Sequence, residues 1–416
     1  MRVAFIVGSF PCVSETFILD QITGLMDLGH EVVIFAGARS DEACVHSAVL
    51  RYGLLEKVRY HNDKPRAFGL RILKAAVMFP GALVRAPRTV LSSLNVFRYG
   101  AEAASFNYFF KAQVFLKEGD FDAVVCHFGQ NGIIGGLMKE LGALKGKLLV
   151  FFHAADITAF VRQEGAGVYG KLFPEADLCL AISEDARRRL IHLGCPPEKI
   201  RVFHMGVDLK RLAFRAMKEN ADEVRILSVA RLVEKKGIRY GIMAVRMLSA
   251  RGIKCRYDIV GAGPLKEELL HDVSDPAARD IVFFHGAQDS AKVLGFMQEA
   301  DLFLLSSIPA VNGDEEGIPV VLMEALAVGV AVVAANTGAV KEIIIDGETG
   351  LLALPKDVTA LADRMEYFLK NRAFVKKCAE QGRVLLEKDY NADKLIRELE
   401  VLLGFKDIEK GKGDEA

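Results

Sequence analysis

The sequence predicts an α/β protein of two domains, each a parallel sheet with helices on both faces. The chain has 416 residues, more than one ordinary domain needs. Apolar residues make up 51% of it, which is enough for two hydrophobic cores. In both halves, short strands that are apolar on both faces alternate with helical patterns, as in parallel sheets covered on two sides.

Composition excludes several classes of protein. The formal net charge is zero, so a broad nucleic-acid surface is not indicated. The seven cysteines form no Cys-x-x-Cys pair and are odd in number, which argues against a disulfide framework and a zinc site. The first apolar run is too short for a signal peptide, and no run approaches the roughly 18 residues of a spanning helix. We therefore expect a cytoplasmic protein.

Residues 1–206 are expected to form the first domain. Helical patterns end at Gly29 and Gly194, which is the usual position of glycine after a helix. The predicted helices cover 15–28, 131–141 and 185–193, and the predicted strands are Val3–Val7, Val32–Ala36, Ala123–Cys126, Leu148–Phe152, Leu178–Ile182 and Ile200–Phe203.

The same alternation restarts in residues 207–389, the expected second domain. Helices are predicted between its strands and again over 359–370, 374–387 and 392–403, and residues 406–416 form a charged tail that we expect to be disordered. The predicted strands are Arg225–Ala230, Tyr257–Val260, Ile281–Phe284, Leu302–Leu305 and Val330–Ala334.

A basic segment, residues 64–98, interrupts the first domain. It contains seven Lys or Arg residues and no acidic residue, with apolar side chains between them and Pro80 interrupting the helical pattern. Such a segment suits an anionic membrane surface. The alternative is a pair of packed helices whose cations reach water.

Cations and carboxylates follow two strands of the second domain. Arg231 lies just past one strand and Lys236 just before the next helix, where a helix N-terminus adds partial positive charge. This arrangement predicts a diphosphate site, with a solvated loop as the alternative. Glu316 and Glu324 follow another strand, one in a loop and one in a helix, and carboxylates there accept hydrogen bonds from a polyhydroxylated ligand.

Certain glycine and histidine residues also lie at strand ends where a ligand could bind. Gly261 and Gly263 follow a strand and permit close approach to a ligand, but Lys266 replaces the next glycine of a dinucleotide fingerprint. Gly8 follows the first strand, where a loop can contact a phosphate or an acceptor. His127 and His153 end neighbouring strands and are predicted either to face the cleft or to be structural.

Asp120 and Asp122 match the Asp-x-Asp pattern of metal-dependent sugar transferases. They precede a strand, so they are expected at the opposite edge of the sheet from a ligand. No other carboxylate cluster has metal-ligand spacing, and no metal is expected.

Several motifs together resemble the family-4 retaining glycosyltransferases, which have the GT-B fold. They are EGIPVVLMEA, ARLVEKKG, VGAGPLKEEL, HMGVD and DGETGLL, which occur in the family's order over nearly the whole chain. The segments PCVSETF, HFGQNG and NGDEEGIPVVLMEA resemble the exopolysaccharide subgroup, of colanic-acid and amylovoran type. Residues 336–342 depart from the family, which often has a double glycine and a proline there.

The resemblance implies roles for particular residues in two Rossmann-like domains that face each other across a cleft. Arg231 and Lys236 would hold the diphosphate, Glu324 the ribose hydroxyls and Glu316 the hexose hydroxyls. His153 would lie near the transferred sugar, Gly8 near the phosphates, and Ser183 along the cleft. The last helix, about 390–405, would cross back to the first domain.

The implied function is metal-independent, retaining transfer of a hexose from a nucleotide-sugar to a lipid-linked oligosaccharide, with the enzyme cytoplasmic or peripheral at the membrane. UDP-hexose is favoured as donor, followed by GDP-mannose. A nucleotide-sugar epimerase, or another nucleotide-binding protein of similar fold, is the alternative.

Overall fold

The architecture was examined in a computed structural model. It describes residues 1–12, 15–40, 46–215 and 222–404. The charged tail expected at 406–416 lies outside these ranges.

The first sheet has seven parallel strands in the order β3-β2-β1-β4-β5-β6-β7. The six strands expected from the sequence are present, while the three-residue edge strand β3 was not predicted. The strands are β1 Arg2–Phe10, β2 Glu31–Arg39, β3 Val58–Tyr60, β4 Ala123–His127, β5 Lys147–Phe152, β6 Leu178–Ala181 and β7 Ile200–Val202.

Helices cover both faces of this sheet, and two hydrophobic cores lie on its opposite faces. In chain order they are α1 Thr16–Asp27, α2 Ser47–Arg51, α3 Phe68–Arg85, α4 Pro87–Ser93, α5 Val96–Ala104, α6 Asn107–Glu118, α7 Gly129–Glu140, α8 Ala159–Glu164, α9 Leu172–Glu175 and α10 Glu184–His192.

The second sheet has six parallel strands in the order β10-β9-β8-β11-β12-β13. The edge strand β13, like β3, was not predicted from the sequence. The strands are β8 Val224–Val229, β9 Cys255–Val260, β10 Val282–Gly286, β11 Leu302–Leu305, β12 Ala331–Ala335 and β13 Leu351–Ala353.

The helices of the second half follow the expected alternation, and two short ones, α12 and α13, fill the gap between β9 and β10. They are α11 Ile238–Ala250, α12 Lys266–Asp272, α13 Pro276–Arg279, α14 Ser290–Glu299, α15 Val320–Val328, α16 Val358–Lys370, α17 Arg372–Asp389 and α18 Ala392–Leu403.

Strand order creates one switch point in each sheet. In the first, β1 and β4 are neighbours although two strands separate them in the chain, and in the second β8 and β11 are neighbours in the same way. Connections leave such neighbours in opposite directions, which opens a crevice at their carboxyl ends where α/β proteins bind ligands. A ligand-binding site is therefore expected at each switch point.

Pro80 does not interrupt the helical pattern, contrary to expectation. It lies inside the continuous helix α3. A proline removes one helical hydrogen bond, but Pro80 is exposed, so water can bond the carbonyl that it leaves free. Within the described ranges, α3 and every other helix is too short or too polar to span a membrane.

The last helix, α18, packs against the first domain. His30 Nε2 of that domain lies 3.1 Å from Glu400 Oε1, and Lys147 Nζ donates to the Leu402 carbonyl at 2.8 Å. Gly24 of α1 leaves room for Ile396, because a Cβ there would lie 2.8 Å from Ile396 Cγ1. The chain thus returns to its first domain after completing the second.

Gly24→Ala should therefore destabilise the protein by about 1 kcal/mol, although alanine favours a helix interior by roughly that amount elsewhere. The same change in an Ile396→Ala background should be neutral or stabilising, because the space has been vacated. Urea unfolding of the four proteins of this cycle measures the coupling. Equal effects of Gly24→Ala in both backgrounds would contradict the packing of α18 on α1.

Candidate active site

The loops after β8 and β11 meet at the switch point of the second sheet. Lys236 Nζ, from the first loop, lies 2.6 Å from Glu316 Oε1, from the second. Both side chains are largely buried, at 12% and 5% exposure. The sequence predicted both residues at this edge of the sheet, and the ion pair joins a cation expected to bind phosphate to a carboxylate expected to bind hydroxyls.

Two glycines fix the backbone around this ion pair. Gly237 has φ +56°, and a Cβ there would lie 2.0 Å from the Ser306 carbonyl oxygen. Gly338 has φ +53°, and its Cβ would lie 2.0 Å from the Glu316 carbonyl oxygen. A side chain at either position would push one loop away from the other. The sequence did not indicate these contacts.

Glu316 is held as a carboxylate. Burial raises its pKa, but Lys236, the neighbouring Lys235 and a hydrogen bond from Ser307 together lower the pKa below its ordinary value. Ser307 Oγ donates to Glu316 Oε1 at 2.8 Å. A carboxylate is an acceptor only, so Glu316 suits donors such as sugar hydroxyls.

Glu324 has a different environment, on α15. Burial raises its pKa to about 7, Arg211 opposes the rise, and Asp20 of the first domain adds to it. The carboxylate makes no hydrogen bond with any residue that the structure describes. Glu324 is half-buried, so its oxygens remain accessible, and neighbouring ribose hydroxyls could bond to them.

The other predicted residues of the second domain, Arg231, Gly261 and Gly263, have different environments from one another. Arg231 is exposed, and its guanidinium contacts no charged partner in the described part of the chain, so it is free to meet an anion. Gly261 and Gly263 instead pack on the loop after β8, since their Cβ atoms would lie 1.9 Å from the Ala230 oxygen and 2.4 Å from the Leu232 oxygen. Close approach between two protein loops already requires glycine at both positions.

In the first domain, two histidines at the strand ends contact each other. His127 Nδ1 lies 3.3 Å from His153 Nε2, and His127 Nε2 lies 3.0 Å from Gln21 Oε1 on α1. Phe17 and Phe128 pack on the His153 ring at centroid distances of 5.0 and 4.3 Å. The pair is therefore embedded among aromatic side chains at the first switch point.

This chain of contacts determines which nitrogens carry protons. Burial lowers the pKa of His153 to about 3 and holds that of His127 well below its usual range, so both rings are neutral. Gln21 presents its oxygen to His127, because its amide nitrogen faces Met205 Sδ at 3.9 Å. His127 must then carry its proton on Nε2, and His153 must donate from its own Nε2. His153 Nδ1 is left as a bare acceptor with no partner among the described residues.

His153 also lines a cavity between the two domains, together with Ser183. Ser183 Oγ accepts from the Ala186 amide at 3.0 Å and so caps α10. The cavity brings predicted residues of both domains together, and its lining includes His153, Ser183, Arg189, Glu315, Glu316 and Gly317.

Gly8 was expected in a loop after β1, but it lies within the strand, because β1 continues to Phe10. Pairing with β2 extends through Phe10 opposite Arg39, which keeps Gly8 in the sheet. Gly8 is nonetheless exposed at the carboxyl half of β1. A Cβ at Gly8 would lie 3.8 Å from Asn131 Nδ2, so a small group can approach this backbone.

Contacts across the cleft hold α10 against the second domain. Glu342 accepts the Glu184 and Asp185 amides, each at 2.8 Å, and Arg189 Nη2 lies 2.7 Å from Glu315 Oε2. A carboxylate at a helix N-terminus is stabilised by the helix dipole. No local sequence pattern indicates this cap, because its partners are more than 150 residues apart.

The Asp-x-Asp pair lies at the edge expected for it. Asp120 Oδ2 pairs with Lys145 Nζ at 3.0 Å, and Asp122 Oδ2 accepts the Arg2 amide at 2.7 Å. Both residues precede β4, opposite the carboxyl ends that form the crevice.

Two family models match the chain, one for each half. Residues 14–211 match "Glycosyltransferase Family 4", and residues 210–385 match "Glycosyl transferases group 1". The chain is also 38% identical over 408 residues to the putative colanic acid biosynthesis glycosyltransferase WcaL of Salmonella typhimurium, covering 97% of this chain and 99% of that protein.

The chain belongs to the exopolysaccharide-biosynthesis glycosyltransferases. The amylovoran biosynthesis glycosyltransferase AmsK of Erwinia amylovora is a second relative, 35% identical over 97% of this chain and 99% of its own length. The family resemblance inferred from the motifs is thus confirmed, and the protein is a transferase.

Solved structures confirm the fold of this glycosyltransferase. Anabaena HepE in complex with UDP-glucose superposes with a TM-score of 0.70 at 15% identity, over 97% of this chain and 99% of that chain. WaaG, a glycosyltransferase involved in lipopolysaccharide biosynthesis, gives a TM-score of 0.64 at 17% identity, over 97% and 100%. The two facing Rossmann-like domains are the GT-B fold.

The proton arrangement of the histidine pair is testable directly. In ¹⁵N-resolved NMR of the imidazole nitrogens, His153 should be a neutral ring protonated on Nε2 at pH 6, because burial keeps its pKa far below that pH. Gln21→Leu removes the oxygen that orders His127, so both tautomers of His153 should appear.

Gln163→Leu, on the exposed face of α8, is the matched control and should leave the imidazole signals unchanged. A cationic wild-type His153, protonated on both nitrogens at pH 6, would contradict the arrangement. So would a neutral wild-type ring protonated on Nδ1.

Proposed function

We propose that this glycosyltransferase moves a hexose from a nucleotide-sugar to a lipid-linked oligosaccharide, with retention of anomeric configuration. The observation that carries the proposal is the contact of Lys236 with Glu316, at 2.6 Å, between the loops that follow β8 and β11. Arg231 also follows β8, and Glu324 lies on the helix after β11. Cations for a diphosphate stand beside acceptors for hydroxyls, which is the chemistry of a nucleotide-sugar.

The cations would act on the leaving group. Negative charge develops on the diphosphate as the anomeric bond breaks, and fixed positive groups in a partly buried site stabilise that charge. Arg231 would bind two phosphate oxygens at once, while Lys236 would act as a point charge. Because these cations supply the stabilisation, the proposed reaction needs no divalent metal and no other cofactor.

The carboxylates and the histidine would position the donor. Glu324 would accept the ribose hydroxyls and Glu316 the hexose hydroxyls. His153 Nδ1, the bare acceptor, would face the transferred sugar. We assign none of these groups as a covalent nucleophile. Attack by the acceptor hydroxyl on the face that the diphosphate leaves, with the leaving phosphate as base, is the proposed route to retention.

UDP-hexose is the preferred donor, with GDP-mannose second. The UDP-glucose bound to the structurally similar HepE supports the first choice. An epimerase would turn over the nucleotide-sugar without any acceptor, so dependence of turnover on an acceptor separates the two activities.

The proposed location is the cytoplasmic face of the membrane, reached through the surface of α3 to α5. Val77 and Val84 of α3 and Phe97 of α5 are 76%, 87% and 101% exposed. Lys74, Arg85 and Arg88 are exposed beside them. Apolar groups bordered by cations suit an anionic lipid surface. Arg98 is excluded from this set because it pairs with Glu140.

The two glutamates should affect binding differently. Glu324→Gln weakens the acceptor for ribose and should lower the affinity for UDP about tenfold, roughly one charged hydrogen bond. Glu316→Gln releases Lys236 for the diphosphate, so UDP should bind at least as well as to the wild type, while choice among hexoses is lost. Calorimetry with UDP and transfer assays with a panel of UDP-hexoses measure the two effects. The same UDP affinity in both variants would contradict the assignment.

The cations, and not a metal, should be required for transfer. Lys236→Met should lower turnover by roughly 10²–10³, the usual cost of removing one group that stabilises developing charge. Arg231→Lys should also be damaging, since lysine cannot bind two oxygens in one plane. Exposed Lys254→Met is a control on the same domain.

The decisive assay is transfer in excess EDTA after dialysis, where wild-type activity should persist. Activity that disappears in EDTA and returns with manganese would overturn the proposed mechanism.

A further inference from the structure

A second group of cations lies in the first domain, away from the crevice of the second sheet. We call it the Lys111 cluster. It consists of Lys64, Arg71 and Lys111 with the polar side chains of His61, Asn62 and Asn107.

Asparagine side chains hold the three cations in place. Lys111 Nζ donates to Asn62 Oδ1 at 2.7 Å, and Lys64 Nζ donates to Asn107 Oδ1 at 2.6 Å. Arg71 Nη1 lies 3.4 Å from the same Asn107 oxygen. One oxygen therefore contacts two cationic side chains. Arg71 also donates to the carbonyls of Pro65 and Arg66, so backbone oxygens fix its guanidinium and leave part of its donor capacity for a ligand.

Positive charge exceeds negative charge in the Lys111 cluster. Burial and then Lys64 lower the pKa of Lys111 to about 8, and burial and then Arg71 lower the pKa of Lys64. Glu102 is the carboxylate that opposes both shifts. Three cations thus share one carboxylate, and an added anion would relieve their mutual repulsion.

His61 contacts the same cluster. Lys111 Nζ lies 3.2 Å from His61 Nδ1, and an ammonium group is a donor only, so Nδ1 accepts. Burial lowers the pKa of His61 to about 3, so the neutral ring adds no charge of its own. The positive charge of the cluster therefore comes from its lysine and arginine side chains.

The Lys111 cluster lies between the proposed membrane surface and the cleft. Arg71 belongs to the first turns of α3, whose exposed apolar residues follow it. At the other end, Asn62 lies near Gly8 of β1. A Cβ atom placed on Gly37 would lie 3.4 Å from Asn62 Nδ2 and 2.7 Å from the Gly8 carbonyl oxygen. The cluster thus follows β3 at the carboxyl edge of the first sheet, where ligands of such sheets bind.

We propose that the Lys111 cluster binds the diphosphate of the lipid-linked acceptor. The lipid would lie along α3, the diphosphate among Lys64, Arg71 and Lys111, and the sugar would extend past Asn62 towards Gly8. This inference rests on the proposed function, because it names the chemistry of the acceptor. The phosphate of a membrane headgroup is also an anion and is the competing source.

Binding of farnesyl diphosphate, measured by calorimetry without any membrane, tests the site. Lys111→Gln and Lys64→Gln should each weaken binding about tenfold or more, since each removes a charge-assisted hydrogen bond. Lys111→Arg keeps the charge and should bind within a few-fold of the wild type. Lys117→Gln, an exposed lysine on the same helix α6, is the matched control and should bind like the wild type.

Flotation with phosphatidylglycerol vesicles distinguishes the two sources of phosphate. Lys74→Gln/Arg85→Gln/Arg88→Gln should lower vesicle binding, by about fivefold per cation that reaches the surface. Lys111→Gln should bind vesicles like the wild type. Loss of vesicle binding in Lys111→Gln would assign the cluster to headgroups and overturn the proposal.

Unchanged binding of farnesyl diphosphate by Lys111→Gln and Lys64→Gln would overturn it as well. UDP should stabilise Lys111→Gln as it stabilises the wild type. A wild type that binds no nucleotide would refute the proposed function alone, because the farnesyl diphosphate measurement requires neither donor nor transfer.

Discussion

The ion pair between Lys236 and Glu316 is the interaction on which the rest of the site depends. It joins the loops after β8 and β11 at the point where strand order separates them. Two charges leave water to form it, and a buried pair of this kind contributes little net stability because desolvation offsets the attraction. Under the proposed function, its value is that it keeps a cation and a carboxylate charged and fixed in position before any ligand arrives. Preorganisation of this kind is the usual source of electrostatic catalysis.

The two switch points place complementary chemistry on either side of one cleft. The second domain offers Lys236, Glu316 and Glu324, while the first offers His153 as a neutral acceptor ordered by His127 and Gln21. Glu342 and Glu315 bind α10 across the cleft, so the cavity is bordered by direct contacts between domains. Groups that the proposed reaction needs together are thus held by both sheets, and a small rotation of the domains would change their distances.

Most of the fold, and the edge of the sheet at which several candidate site residues lie, followed from the sequence. Lys236, Glu316 and Glu324 were predicted there because they occupy fixed places after strands, and such places are set by nearby residues. The strands β3 and β13 were missed because three residues carry too little pattern to be distinguished from a loop. Gly338, which packs on Glu316, and the Glu342 cap were missed because their partners are remote in the chain or depend on how a loop folds back. A sequence pattern reflects interactions between residues that are close in the chain, whereas these contacts form only when the two sheets have folded.

The central claim is that this ion pair serves the nucleotide-sugar more than it serves the fold. Calorimetric titration of the Lys236→Met/Glu316→Gln double variant with the UDP-hexose that the wild type uses tests the claim most directly, with unfolding measured on the same protein. The double variant should unfold within about 1 kcal/mol of the wild type, because both charges are removed together. It should bind the UDP-hexose about 100-fold or more weakly, which corresponds to the loss of charged hydrogen bonds to diphosphate and sugar. Wild-type affinity in a folded double variant would contradict the claim.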